Sequence, residues 1–202
     1  HQSGGVFYLR IEDTDAKREV PGAAEALIRT LETYGINFDE GAILGEDGKI
    51  SDKGIYGPYK QSLRGPIYHV FAKQLVREGK AYPCFSTEEE LEELQQVNKK
   101  EEIKNTDWEA VAAQRKAEML ARRNFTIEEV EANLKAGMPF VLRILADGDP
   151  EKKIKFTDLV KGNMEVTEND EDFVLLKSDG IPTYHFAHAV DDHLMGTTHV
   201  IR

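Results

Sequence analysis

Residues 6–15 contain an apolar segment that runs directly into a group of carboxylates. The side chains of residues 6–9 and of Ile11 are aromatic, branched or otherwise apolar, which predicts a buried β-strand. Glu12, Asp13 and Asp15 follow without a spacer. Two interpretations are open at this point. Either the acids form a solvated strand end whose Thr14 or Asp15 caps the next element, or one carboxylate lies where open α/β sheets bind ligands, at the carboxyl end of a strand.

A helix is predicted to follow this strand. Pro21 suits the first helical turn, and apolar residues recur at helical spacing between Ala24 and Tyr34. Gly35 is a suitable stop, and the chain continues with the apolar residues Ile36 and Phe38. A strand followed by a helix and a second apolar segment is typical of a βα unit.

The next stretch predicts a loop, a second helix and a short strand. Residues 41–62 contain several glycines and Pro58, which is typical of a loop. A helix is predicted from about Ser62 to Arg77, and residues 81–85 predict a strand. The side chains predicted to face inward from this helix are Ile67, Val70, Phe71 and Leu75.

The composition changes from Thr87 onward. Capping boxes formed by Thr87 with Glu90 and by Thr126 with Glu129 mark two helix starts. Residues 83–178 therefore predict an α+β insertion, after which the chain is expected to resume short strands and turns. The predicted helices are 88–100, 107–123 and 127–136, and the predicted strands are 139–145, 153–160, 164–166 and 173–176.

Composition excludes several classes of protein. The net charge of −11 argues against a protein that binds nucleic acid with its whole surface. No apolar run approaches the roughly 20 residues of a membrane span, so no membrane partner is expected. The single cysteine, Cys84, excludes an internal disulfide, is predicted to be a buried apolar side chain, and suggests a cytoplasmic location. Because the sequence begins inside a strand-like pattern with no signal peptide, it is expected to be a piece of a longer protein.

The segment from 179 to 202 contains the densest chemistry in the sequence. One interpretation is a metal site, because imidazoles and carboxylates at His185, His188 and residues 191–193 are possible ligands. Their spacing matches no closed zinc pattern. The other interpretation is a polar pocket for a small zwitterion, with Glu12 binding an amine, Tyr184 offering a hydroxyl and Arg202 binding a carboxylate.

Three segments together resemble the catalytic domain of glutamyl-tRNA synthetases, which are class I aminoacyl-tRNA synthetases. They are RIEDTD followed by Pro21-Gly22, then YGPYKQSLR, and then SDGIPTYHFAHAVDDHLMGTTHVIR. The resemblance is strong over residues 1 to about 85 and 174–202, and it covers the middle only in outline. It implies an α/β, Rossmann-like class I synthetase catalytic domain with an inserted α+β domain that binds the tRNA acceptor end.

The resemblance also implies a division of labour along the chain. Residues 1–82 would be the first Rossmann half, 83–178 the insertion and 179–202 the start of the second half. Glu12 would bind the α-ammonium group of L-glutamate. Tyr184 and Arg202 would contact its side-chain carboxylate, and His188 stands where many family members have Asn. Arg18, Gln61 and Arg64 are further candidates for nucleotide or acceptor-end contacts, with surface salt bridges as the alternative.

The expected reaction is ATP-dependent activation of glutamate, with magnesium, and transfer to the 3′ end of tRNA. The His-Ile-Gly-His and Lys-Met-Ser-Lys-Ser motifs of the family are not in the sequence, so the chain by itself is expected to be inactive. No zinc is expected, because one cysteine cannot reproduce the zinc site of some relatives. The alternatives are a glutaminyl-tRNA synthetase, a tRNA-modifying glutamyl transferase, or a non-catalytic tRNA-binding module.

Overall fold

The computed structural model describes residues 4–15, 20–85, 108–123 and 125–201. Its contacts divide the chain into two compact units. The first unit consists of His1–Phe71 together with Asp179–Arg202, and the second is Ala72–Ser178. Within the described residues, no helix combines the length and the apolar composition that crossing a membrane requires.

The first unit begins with the predicted βα unit, which is confirmed. Strand β1 (Tyr8–Leu9) leads through helix α1 (Ala23–Thr33) to strand β2 (Glu40–Leu44), and β1 and β2 pair in parallel. The helix packs on the sheet because its buried Ile28 lies in one core cluster with Ala42 of β2. Glu12 therefore lies three residues beyond Leu9, at the carboxyl end of β1.

The predicted loop over residues 41–62 is wrong in its first part. Strand β2 continues into an antiparallel hairpin with strand β3 (Ile50–Lys53). The glycines at 45 and 48 lie in the turn, where the amide of Gly45 donates to the carbonyl of Lys49 at 2.8 Å. The glycines therefore mark a tight turn between two strands, and the apolar Ala42 and Leu44 beside them are strand residues.

The second predicted helix is confirmed as a short 3₁₀ helix, Gln61–Arg64, that continues into α2 (Gly65–Arg77). Its buried side chains are Tyr68 and Ala72, which lie one turn apart on the same face. The prediction that Val70 faces inward is wrong, because Val70 lies between them on the helix surface and is 62% exposed.

The second unit is α+β. It contains a three-stranded antiparallel sheet, a separate two-stranded hairpin and two described helices. The predicted capping box at Thr126 is confirmed, with the Glu129 amide donating to Thr126 Oγ1 at 3.2 Å and the Thr126 amide donating to Glu129 Oε2 at 2.8 Å. Predicted helix 88–100 and its cap at Thr87 lie outside the described residues. The elements are β4 (Ala81–Cys84), α3 (Trp108–Arg122), α4 (Ile127–Lys135), β5 (Val141–Ile144), β6 (Lys153–Asp158), β7 (Gly162–Thr167) and β8 (Val174–Leu176). The sheet has the strand order β4-β5-β8, and β6 with β7 forms the hairpin.

The last part of the chain returns to the first unit as a helix. Residues Tyr184–Met195 form α5, whereas the sequence predicted short strands and turns here. The missed signal is the helical spacing of Phe186, Ala187 and Val190, followed by Gly196 as a stop. In the structure these three residues are buried, and Gly196 has the left-handed conformation after the last turn. All the histidines and aspartates between 185 and 193 are therefore helical neighbours.

Candidate active site

Backbone pairing brings the end of β1 against the start of the 3₁₀ helix. The amide of Ile11 donates to the carbonyl of Tyr59 at 2.8 Å, and the amide of Gln61 donates to the carbonyl of Ile11 at 2.9 Å. The acids that follow Ile11 then separate in their contacts. Asp13 accepts from the amide of Ser62 at 2.8 Å and lies 3.2 Å from the ammonium group of Lys60. Asp13 therefore stabilises the contact between the end of β1 and the 3₁₀ helix. Glu12 instead lines an open cleft.

Glu12 lies in an open cleft of about 800 Å³ in the first unit. Tyr184, at the start of α5, also lines this cleft, so the fold brings together two residues that are 172 positions apart in sequence. Asp192 and Arg10 contribute further charged groups to the same lining. The cleft thus combines carboxylates, a guanidinium and a phenol, which are the groups needed to bind a small charged molecule.

Arg10 connects the two sides of this cleft. Its Nη2 lies 2.9 Å from Oε1 of Glu12, and its Nη1 lies 2.7 Å from Oδ1 of Asp192. The Arg10 side chain is only 7% exposed. Burial by itself lowers the pKa of Arg10, but the hydrogen bonds to Glu12 and Asp192 outweigh it and hold that pKa above its usual value. Arg10 therefore remains a cation shared by two carboxylates.

His188 lies at the end of this series of contacts. Its Nδ1 is 2.5 Å from Oδ2 of Asp192, one helical turn further along α5. The ring of Tyr184 meets the ring of His188 edge-on, with centroids 5.7 Å apart. The metal interpretation of this helix gains no support, because the described residues contain no group of three or more His, Cys, Asp or Glu side chains placed to hold a metal ion.

Asp191, beside Asp192 on α5, is the centre of a buried polar cluster that sequence reasoning missed. It is fully buried and accepts from Arg64 Nε at 2.7 Å, from Gln61 Nε2 at 2.9 Å and from the Tyr68 hydroxyl at 2.8 Å. Burial, followed by the hydrogen bond to Asp191, raises the pKa of Tyr68 well above its usual value. The available signal was the spacing of Gln61, Arg64 and Tyr68, which places all three on one helical face.

Gln61 and Arg64 do not form the surface salt bridges considered as the alternative, because both side chains are buried. Gln61 is fully buried and Arg64 is 2% exposed. Besides Asp191, Arg64 donates from Nη1 to the carbonyls of Tyr56 and Pro58 at 2.7 and 2.8 Å. These two side chains join α5 to the first half of the unit. Contacts from them to a nucleotide or an acceptor end stay predictions.

Two other residues predicted for the site, Arg18 and Arg202, lie outside the described residues, and their roles also stay predictions. The structure brings together the other members of the predicted glutamate pocket. Glu12 and Tyr184 line the cleft, and His188 reaches Glu12 through Asp192 and Arg10.

Comparison with known proteins identifies the family. The family model for class I tRNA synthetases (E and Q), catalytic domain, matches residues 1–202. The chain is 49% identical, over 202 residues, to a glutamate–tRNA ligase from Clostridium perfringens (strain 13 / Type A), and this match covers 100% of the chain and 35% of the relative. It is 46% identical to a glutamate–tRNA ligase from Sorangium cellulosum (strain So ce56), again over 100% of the chain and 35% of the relative. The chain thus spans about a third of the length of the curated relatives it matches.

Solved structures agree with this match. The crystal structure of a glutamate tRNA ligase from Elizabethkingia meningosepticum CCUG26117, in complex with its amino acid, is 34% identical and superposes with a TM-score of 0.75. It covers 97% of this chain, which covers 36% of that one. A glutamate-tRNA synthetase from Elizabethkingia anophelis gives a TM-score of 0.73. The predicted class I synthetase fold is confirmed, and the chain belongs to the class I tRNA synthetases of the E and Q type, within their catalytic domain.

Proposed function

We propose that these residues form the amino-acid-binding part of a glutamate–tRNA ligase, which activates glutamate with ATP and transfers it to the 3′ end of tRNA. The observation that carries this proposal is the cleft containing Glu12 and Tyr184, in a chain 49% identical over its full length to ligases of that name. The neighbour solved with its amino acid supports a small-molecule pocket in this fold.

Glutamate would be recognised at both of its charged ends. Glu12, whose side chain is 28% exposed, has the charge to pair with the α-ammonium group. Tyr184 is 36% exposed and would donate a hydrogen bond from its hydroxyl to the side-chain carboxylate. The guanidinium of Arg202 would bind the same carboxylate. His188 would form part of the pocket wall behind Tyr184. An acid at one end and a hydroxyl with a cation at the other suit a zwitterion that carries a second carboxylate.

The reaction would depend on positioning and electrostatics. The α-carboxylate of glutamate attacks the α-phosphate of ATP, and pyrophosphate leaves. A ribose hydroxyl of the tRNA terminus then attacks the activated carbonyl and displaces AMP. No protein nucleophile is required. Magnesium bound with ATP would be held by the phosphates and by water together with one or two carboxylates, which is the usual coordination of this ion beside a nucleotide. Arg18, Gln61 and Arg64 remain the proposed nucleotide or acceptor-end contacts.

The proposed division of labour follows the sequence. Residues 1–82 and 179–202 would build the half-sheets around glutamate and ATP, and residues 83–178 would bind the acceptor end of tRNA. The proposed location is the cytoplasm. Because the two ATP-binding motifs of the family are not among these 202 residues, we propose that the isolated chain does not activate glutamate.

The test is tRNA charging by the full-length gene product. We expect incorporation of labelled L-glutamate, with L-glutamine giving none, and a KM for glutamate raised about tenfold or more by Glu12→Gln, because a charge-assisted contact is lost. Glu32→Gln, at an exposed acid on α1, is the matched control and should leave KM unchanged.

The outcomes separate the alternatives. Incorporation of glutamine would identify a glutaminyl enzyme. Incorporation that survives periodate oxidation of the tRNA 3′ terminus would identify a tRNA-modifying transferase, because a ligase needs the intact terminal ribose. Tight tRNA binding without incorporation of either amino acid would leave a binding module. Each of these three results would refute the proposed ligase.

A further inference from the structure

We propose that Arg10 and Asp192 are positioning residues that hold Glu12 and His188 in one fixed arrangement around the glutamate pocket. This inference rests on the proposed function. It assigns a role to two side chains that need not touch the substrate themselves. Their effect is to orient the side chains that do.

The geometry of Arg10 links Glu12 to Asp192. Its two terminal nitrogens point to different carboxylates, Glu12 at 2.9 Å and Asp192 at 2.7 Å. A guanidinium is planar, so fixing one of these contacts fixes the direction of the other. Glu12 follows β1 and Asp192 lies on α5, 180 positions later in the sequence. Arg10 therefore sets the distance between two elements that both contribute to the cleft.

The side chain of Arg10 is also buried, unlike those of its two carboxylate partners. At 7% exposure its side chain cannot change rotamer freely, and its Nε lies 3.9 Å from the buried Asp191. Glu12 and Asp192 are more exposed, at 28% and 22%. An exposed carboxylate by itself samples several rotamers, and a salt bridge at the surface orders it weakly. A buried partner of fixed direction orders it far more strongly.

Asp192 also contacts His188. An ionised carboxylate can only accept hydrogen bonds, so the short contact with Asp192 requires the proton of His188 to be on Nδ1. Asp192 thereby sets the ring orientation of His188 and decides which ring nitrogen carries a proton, because a hydrogen bond at one imidazole nitrogen fixes the role of the other. The edge-on contact with Tyr184 extends this order to a second pocket residue.

Arg10 also balances part of the charge of the two carboxylates. With Arg10 in place, Glu12 and Asp192 share one cation, so the three side chains carry a net charge of about −1. That charge suits an ammonium group. Without Arg10 two carboxylates of the cleft would lack their common partner and would repel both one another and the side-chain carboxylate of glutamate. Arg10 is therefore needed for an acidic substrate in particular.

The experiment measures tRNA charging by the full-length gene product and its Arg10→Met, Arg10→Lys and Asp192→Asn variants. Arg10→Met should raise the KM for glutamate about tenfold or more, and change the KM for ATP less than about threefold. Arg10→Lys should behave like Arg10→Met, because a single ammonium cannot hold two carboxylates in a fixed direction. Asp192→Asn should have a smaller effect, since an amide still accepts from Arg10 but no longer accepts from His188 if its oxygen faces Arg10.

Arg29→Met is the matched control, because Arg29 is exposed on α1, and it should leave both constants unchanged. A purely structural role for Arg10 would lower the amount of active enzyme and kcat without a selective change in the KM for glutamate. Three results would each overturn the inference. They are that structural pattern, a KM for glutamate within about twofold of the wild type in Arg10→Met, and full activity in Arg10→Lys. Should Arg10→Met fail to fold, Asp192→Asn decides instead: a KM for glutamate raised more than about twofold supports the inference, and a smaller change overturns it. Absence of charging by the wild type would refute the proposed function instead, so the two failures are distinguishable.

Discussion

Replacing Asp191 by alanine removes a carboxylate that three buried donors share. Arg64 would keep its hydrogen bonds to two backbone carbonyls but would lose its only described carboxylate partner in a place where it is 2% exposed. Gln61 and Tyr68 would each lose a charged acceptor. Removing one partner of a buried ion pair costs about 3–5 kcal/mol, because the remaining charge is left in a poorly solvated site.

This cost should appear as faster hydrogen exchange in α5 and α2. Native domains are stable by only about 5–15 kcal/mol, so a loss of 3–5 kcal/mol is a large share of the total. Each 1.36 kcal/mol changes an equilibrium constant by about tenfold, so amide protection over residues 184–195 should fall roughly a hundredfold to several thousandfold. Peptide-level exchange measured by mass spectrometry resolves this range.

Two further variants complete this test. Glu32→Ala removes an exposed carboxylate from α1 of the same unit and should change protection by less than about threefold, since exposed substitutions stay within about 0.5 kcal/mol. The double variant Arg64→Met with Asp191→Leu should lose less than the sum of its two single variants, because the pair is removed together. A loss of protection below about threefold in Asp191→Ala, or strict additivity in the double variant, would refute the reasoning.

Three other predictions concern stability in both units. Burial by itself raises the pKa of Asp172, but hydrogen bonds, led by that from Arg123, outweigh it and hold that pKa below its usual value. The ionised form of Asp172 therefore contributes stability above about pH 4, and this stability is lost as pH falls further. Arg123→Met should lower the free energy of unfolding by about 1.5–3 kcal/mol at pH 7 and make it depend less on acid pH, as measured by hydrogen exchange in β4 across pH, and an unchanged acid slope would contradict the assignment. Thr126→Ala removes the cap of α4 and should lower the opening free energy of that helix, measured by hydrogen exchange, by about 1 kcal/mol. Thr126→Ser should lower it far less, and equal losses would argue against the cap. Gly41→Ala places a side chain at φ 116° and against the backbone of Leu9, so it should destabilise the β1–β2 pairing by more than about 1 kcal/mol; a thermal unfolding midpoint equal to that of the wild type would contradict this.

Elements with a local signal were predictable from the sequence. Helix α4 is one example, because a threonine cap, a glutamate three residues later and apolar residues at helical spacing all lie within one short segment. The βα unit is another, since Pro21 and Gly35 bracket α1 and an apolar segment stands on either side. These signals depend only on neighbours along the chain.

The errors arose where two local signals conflicted. Glycines around residues 41–48 favoured a loop, but Ala42 is completely buried and β2 gains hydrogen bonds on both sides, from β1 and from β3. In α5 the many polar residues obscured the apolar positions, so the helical period was missed. In both segments tertiary burial outweighed the local preference.

The sequence by itself determined the family, the order of the segments, and the presence of an acid at the end of the first strand with a tyrosine and a histidine far along the chain. Only the tertiary structure decided which charges meet. Asp191 finds partners more than 120 positions away, and Asp192 beside it pairs instead with Arg10 and His188. Adjacent residues on a helix point about 100° apart, so the packing of α5 sends one carboxylate into the core and the other to the cleft. Sequence patterns report the period of a helix, but its rotation against the rest of the fold is set by long-range packing.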